Sequence, residues 1–101
     1  MSIFKFKRYD LHTRIEVTED GEYKHHVIDD DWKRFDTCID ITQVRIHSFM
    51  EDVLFDSEKN PTSCIKIIFT DGTYYFSPHS LELFERKYKD EYLEELKKAT
   101  D

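Results

Sequence analysis

Two glycines, two prolines and two cysteines are all that this 101-residue chain has of the residues that punctuate or staple a fold. Isolated glycines at Gly21 and Gly72 cannot build a phosphate-cradling loop, which needs several glycines at fixed spacing so that the backbone can approach the phosphate. Nor is there the glycine-flanked serine of a hydrolase elbow. Cys38 and Cys64 lack metal-type spacing, and each starts an apolar β-rich run, so they read as buried reduced thiols, with a structural disulfide as the alternative. No apolar stretch approaches the length of a membrane span, and Lys5, Lys7 and Arg8 interrupt any leader-like run near the start. The expected setting is cytoplasmic. Positive charge is scarce as well: 15 Lys and Arg stand against 22 Asp and Glu, for a net charge of −7. That balance repels phosphate and disfavours direct binding to DNA or RNA.

What the chain has in quantity is aromatic side chains and charge, at 15% and 37% of residues. Its length suits one domain, 1–101, and the low glycine and proline content argues against low complexity. The most informative stretch is Cys64 to Thr100. Asp71-Gly72 between two β-rich runs predicts a hairpin with a two-residue turn, pairing Thr70 with Thr73, Phe69 with Tyr74, Ile68 with Tyr75 and Ile67 with Phe76. Ile65, Ile67, Phe69, Tyr74 and Phe76 would then share a core face, with Ile68 and Tyr75 paired on the other. Ser77-Pro78 reads as N-cap and first residue of a helix over about 78–99. Leu81, Phe84, Tyr88, Tyr92, Leu96 and Ala99 form its apolar stripe.

Ile3 to Tyr9 alternates like a strand, and its lysines suit a guarded edge. Leu11 to Ile28 reads as another hairpin, in which Glu19-Asp20-Gly21 forms a three-residue loop pairing Val17 with Tyr23. That register puts Ile15, Val17, Tyr23, His25 and Val27 on one face. Asp29 to Asp36 breaks the alternation as a loop or helical turn, with Trp32 and Phe35 facing the same way. Thr37 to Phe49 resumes as strand with a break near Thr42-Gln43, Glu51-Asp52 turns into a strand at Val53-Leu54-Phe55, and Asp56 to Ser63 is a loop. The expected fold is α+β: an antiparallel meander of six or seven strands within 3–77, possibly curled or closed as a small barrel, packed by one C-terminal helix. In element order it resembles the pleckstrin-homology superfold, with no residue motif behind the likeness.

Chemistry is sparse. A Cys–His pair can be drawn from Cys38 or Cys64 with His47 or His79, but two cysteines and five histidines would offer such pairs in any arrangement. His25-His26 precede Asp29-Asp30-Asp31 closely enough to suggest a histidine–carboxylate metal site. Adjacent strand residues point to opposite faces, however, so the plainer reading is one half-buried histidine, one exposed, and a solvated acidic loop. No enzyme, metal or cofactor is assigned.

The feature with functional direction is charge distribution. Residues 29–63 carry four basic and nine acidic groups, against five and five in 1–28 and six and eight in 64–101. Acid beside aromatics suits a basic protein partner, because complementary charge steers association and aromatic anchors hold it. The expected partner-binding residues are Asp29, Asp30, Asp31, Trp32, Phe35, Asp36, Glu51 and Asp52. Small inhibitors of nucleases and other nucleic-acid-binding proteins, including phage counter-defence and toxin-immunity proteins, have this size and charge. The alternative is a structural or small-ligand module that self-associates as a homodimer through an edge strand or through Ile68 and Tyr75.

Overall fold

Every alternating run in the chain becomes a strand in the computed structural model, which describes residues 2–28 and 32–100. The order is β1 (Ile3–Asp10), β2 (Thr13–Val17), β3 (Tyr23–Val27), β4 (Lys33–Asp40), β5 (Ile46–Phe55), β6 (Pro61–Phe69) and β7 (Tyr74–Ser77). A helical rod follows: α1 (Leu81–Lys87), a π-helical turn over Tyr88–Tyr92, and α2 (Leu93–Thr100). The chain is thus mostly β with a C-terminal helix.

The meander is only partly realised. β1 pairs antiparallel with β4 as a two-stranded ribbon, and five strands form a sheet in the order β2-β3-β5-β6-β7. Within that sheet β3 and β5 run parallel, with His25 opposite Leu54 and His26 opposite Phe55. The chain therefore visits the ribbon twice, first in β1 and again in β4 between β3 and β5 of the sheet. β1 is one of the two strands of the ribbon and packs beside β7 without joining its ladder. Ser77, fully buried, donates a 2.6 Å hydrogen bond from Oγ to the Lys7 carbonyl and ties the ribbon to the sheet.

The sheet curls into a half-barrel. β3 and β7 are three strand steps apart, which is roughly 14 Å on a flat sheet. Yet the His25 and Phe76 rings meet at 5.1 Å between centroids. The concave face holds Val27, Leu54, Cys64 and Phe76, closed at one end by Tyr9, Leu11 and Trp32. The convex face holds Ile65, Ile67 and Phe69, covered by Phe84 and Tyr92 of the helix and by Phe4, Phe6, Ile39 and Ile41. The predicted helical stripe is the face that packs: Leu81, Phe84, Tyr88, Tyr92, Leu96 and Ala99 all join this core.

Three hairpins share one turn design. The β2–β3 turn follows the predicted register, with Val17 opposite Tyr23 and Gly21 at φ +82°. Thr18 N donates to Glu22 O, and Gly21 N to Thr18 O. The β6–β7 turn repeats this pattern, with Phe69 N bonding to Thr73 O and Gly72 N to Phe69 O. It is a three-residue loop and not the expected two-residue one, because only Gly72 takes positive φ. Asp71 instead keeps a negative φ and accepts hydrogen bonds from Thr73 N and Oγ1. The register therefore shifts by one residue: Ile68 faces Tyr74, Ile67 faces Tyr75 and Lys66 faces Phe76. Such a slip moves side chains to the other face. Tyr75 takes the convex face with Ile65, Ile67 and Phe69, while Tyr74 and Phe76 go to the concave one. Ile68 and Tyr75 lie on opposite faces and form no pair.

Other expectations are corrected locally. The helix begins at Leu81, with Ser80 as N-cap accepting from Leu83 N, because Ser77 is spent inside the core. β5 runs unbroken through Glu51-Asp52, and the hairpin turn falls at Asp56–Asn60 with β6 starting at Pro61. Residues 33–36 belong to β4, while β4 ends at Asp40 before a turn at Ile41–Gln43, where the break was expected. Cys64 is buried but Cys38 is exposed, and both are free.

Candidate functional site

Adjacent residues of a strand face opposite ways, and this decides where the expected partner-binding residues go. Asp29, Asp30 and Asp31 lie outside the described residues. Trp32 packs edge-on against Tyr9 at 5.3 Å and plugs the closed end of the concave face. Phe35 is exposed on the other side of the ribbon: its register partner is Arg8, whereas Tyr9 partners Arg34. The two aromatics therefore do not face the same way. Asp36 is exposed 3.8 Å from Lys7 Nζ, a surface pair worth little. Glu51, opposite Ile65, points to the convex side, and Asp52, opposite Cys64, to the concave side. Of the described ones, Glu51 and Asp52 line one cleft between β5, β6 and the helix start, while Trp32, Phe35 and Asp36 lie outside it.

What the fold does gather is the open end of the half-barrel, away from Trp32. Tyr23 is 73% exposed there, with Tyr74 and Met50 also exposed. His25 forms the floor, 8% exposed, its ring 6.1 Å from Tyr74. Lys66 Nζ lies 4.4 Å above the Tyr74 ring, a cation–π contact. Asp52 is close enough to act electrostatically on both His25 and Cys64. Burial holds His25 below its usual pKa, helped by Lys66 and opposed by Asp52. The imidazole is therefore neutral at pH 7, and its Nδ1 has no hydrogen-bond partner among the described residues.

The strand carrying Tyr23 leads to the acidic end of this surface. Glu19, Asp20 and Glu22 are all exposed at the β2–β3 turn, next to Tyr23 and its register partner Val17. Ile15 and Val17 are 55% and 60% exposed on the same side. The result is an uncovered apolar and aromatic face with a carboxylate tip. Sequence reasoning found the alternation that creates this face but read it as core. The signal it could have used is the short strand: five residues at the end of a sheet leave the distal half of a hairpin with nothing opposite.

Cys64 is not an activated nucleophile. Burial, assisted by Asp52, pushes the Cys64 thiol up to about 12, and its Sγ lies 3.6 Å from the Asp52 carbonyl that it donates to. Cys38 sits on β4 opposite Lys5. His25 and His26 face opposite sides as expected, but both are buried, because β3 is covered on each face: His25 by Phe76 and His26 by Phe55. His26 Nε2 lies 2.7 Å from Glu16 Oε2, without the alignment of a hydrogen bond. Among the described residues no three His, Cys, Asp or Glu side chains are grouped to hold a metal ion.

A second concavity, about 580 Å³, lies where the helix start meets β5 and β6, lined by Glu51, Val53, Ser63, His79 and Leu81 among others. Burial lowers the His79 pKa, with Lys87 adding to the effect, and its Nε2 is buried without a partner among the described residues. Asp52 and Cys64 line this cleft together with Glu51. Among the described residues, no helix is long and apolar enough to cross a membrane. Comparison with protein-family models, curated proteins and solved structures finds no match to this chain.

Proposed function

We propose that this is a non-enzymatic interaction protein that binds a basic protein partner through the open end of its half-barrel. The observation that carries the reading is Tyr23: a tyrosine three-quarters exposed, beside uncovered Val17 and the carboxylates of Glu19, Asp20 and Glu22. Exposed tyrosine supplies contact area at low entropic cost, and interface hot spots are enriched in it. The acidic tip and the net charge of −7 steer a positively charged surface toward it. Inhibition of a nuclease or other nucleic-acid-binding protein follows if the surface it covers is the one that meets phosphate. The raised Cys64 pKa supports a binding role over nucleophilic catalysis.

The test is capture by tagged protein at low and high salt, wild type beside two variants. Tyr23→Ala removes the anchor, and the combined Glu19→Gln, Asp20→Asn, Glu22→Gln variant removes the steering charge. A basic protein retained at low salt by wild type, lost with Tyr23→Ala and weakened in the charge variant, is expected. Equal retention by all three proteins, or recovery of bait alone, overturns the reading.

A further inference from the structure

The second edge of β2 is unpaired. Thr18 and Glu22 bond at one end of the hairpin and His12 and Ile28 at the other, so the hydrogen-bonded pairs with β3 are at even positions of β2. By alternation, the N–H and C=O groups of Thr13, Ile15 and Val17 point outward. Among the described residues no strand meets them. Edges of this kind are normally blunted by lysine, proline or a bulge. β2 reads Thr-Arg-Ile-Glu-Val: it is short and has no lysine, proline or bulge, and its two charges, Arg14 and Glu16, are of opposite sign, so they guard the edge only against registers that oppose like charges.

We propose that a second copy of this chain covers this edge, β2 pairing antiparallel with its counterpart about a two-fold axis at Ile15. The sequence is self-complementary in that one register. Ile15 meets Ile15 of the other copy as a hydrogen-bonded pair, and Thr13 meets Val17, another pair of outward-pointing groups. On the outer face Arg14 falls opposite Glu16, twice. Sliding by one hydrogen-bonding step either way would put Arg14 opposite Arg14, or Glu16 opposite Glu16, and like charges directly opposed are destabilising. Arg14 makes no ion pair among the described residues, and Glu16 is 53% exposed with one oxygen turned to His26, leaving the other for Arg14. On the concave side the dimer brings the exposed Ile15 and Val17 of both copies together. The two five-stranded sheets then join into one, and a two-fold closes it without a further edge at β2. The dimer covers Val17 but pairs through the free edge of β2, not through Tyr23 or the carboxylates of the β2–β3 turn, so it is tested separately from the partner reading above.

Sedimentation equilibrium across a micromolar series tests it, with far-UV circular dichroism confirming folding. Wild type is expected at twice the 12.3 kDa chain mass at high micromolar concentration. Ile15→Pro removes an outward N–H and leaves the bonds to β3 intact, so it should be a folded monomer. Arg14→Glu alone should raise the dimer dissociation constant by about tenfold or more, since two attractive pairs become repulsive. Adding Glu16→Arg should restore the dimer, and this double swap keeps a carboxylate beside His26, the register partner of Arg14. In a Cys38→Ser background, Ile15→Cys should form a covalent dimer on oxidation, because hydrogen-bonded antiparallel partners sit about 5.5 Å apart at Cα. A wild-type monomer at high micromolar concentration overturns the proposal, as does a dimer unmoved by Arg14→Glu.

Discussion

Lys59 holds, at φ +66°, the backbone position that Gly72 holds at φ +90° in the equivalent turn. Both turns, and the one at Gly21, close with the same pair of hydrogen bonds: Asp56 N to Asn60 O and Lys59 N to Asp56 O match the bonds around Phe69 and Gly72. Asp56 supports its turn by accepting from Glu58 N and Asn60 N. A side chain at left-handed φ costs about 1 kcal/mol that glycine does not incur. Lys59→Gly should therefore stabilise the protein by up to about 1 kcal/mol, less the extra entropy glycine gives the unfolded chain. Urea denaturation reads this directly, as a higher midpoint at unchanged slope.

The converse applies at Gly72. A Cβ built there meets nothing within 4 Å, so the penalty of Gly72→Ala is conformational and not steric. A loss of about 1–2 kcal/mol is expected, with Gly21→Ala behaving alike. If Gly72→Ala is neutral, the turn has shifted to another type.

These turns also show how far the sequence could be read. At Gly21 the alternation of Ile15, Val17 and Tyr23 chose the three-residue loop correctly. At Asp71-Gly72 the same pattern fitted two registers, and the choice rested on Asp71 taking positive φ. The carboxylate's bonds to Thr73 hold it elsewhere, and that single dihedral moved Tyr74 and Phe76 to the concave face. The parallel β3–β5 pair has no local signature, since it joins strands about thirty residues apart whose own hairpins are both antiparallel. For the same reason the acidic middle segment could not be placed: Trp32 and Phe35 lie near or on β4 of the ribbon, while Glu51 and Asp52 line a cleft on β5 of the sheet.

Ser77 should be sensitive. Its hydroxyl is buried and donates to Lys7 O at 2.6 Å, a direct hydrogen bond from the last strand of the sheet to the ribbon. Ser77→Ala leaves that carbonyl short of a partner and should cost about 1–2 kcal/mol. Hydrogen exchange should quicken in β1 and β4 more than in β5 and β6. Uniform acceleration would mean the ribbon does not open separately.

Acid should act in two windows. His25 and His79 have folded-state pKa values below 6.5, each chiefly through burial. The unfolded chain then binds more protons than the folded one just below pH 6.5, so stability is full above that value and falls as pH drops through the window down to the folded values. Asp40 and Asp71, held below 3.8 by bonds from Thr42 and Thr73, contribute stability present above 3.8 that is lost as pH falls through their folded values. Urea midpoints should be level from pH 8 to 7 and decline by pH 5. His25→Phe, which suits the neighbouring Phe76 and Tyr74 rings, should flatten part of the first decline only. A midpoint unchanged between pH 7 and pH 5 would show that neither histidine is neutral through burial.

Tyr92 tests why the helix carries a π turn. Leu93 N donates to Tyr88 O, the five-residue step that widens the helix over Tyr88–Tyr92. A π turn inserts one residue and so rotates the helical turns on its C-terminal side. Here it accompanies a stack of Tyr88 on Tyr92 at 4.8 Å, and the Tyr92 ring is almost wholly buried against Phe4. Its hydroxyl oxygen accepts a 3.0 Å hydrogen bond from Ile46 N at the start of β5. Ile46 is where the β5–β6 register is irregular, with Ile46 opposite Phe69 but Ser48 opposite Ile68. The tyrosine thus takes an amide that the ladder leaves over. Tyr92→Phe keeps the ring and deletes the acceptor, so it should cost about 1–2 kcal/mol for the half-buried N–H left without a partner. The Ile46 amide should exchange faster while the stacked rings keep their near-ultraviolet dichroism. If Tyr92→Phe is neutral and Ile46 remains protected, the ring packing alone accounts for the π turn.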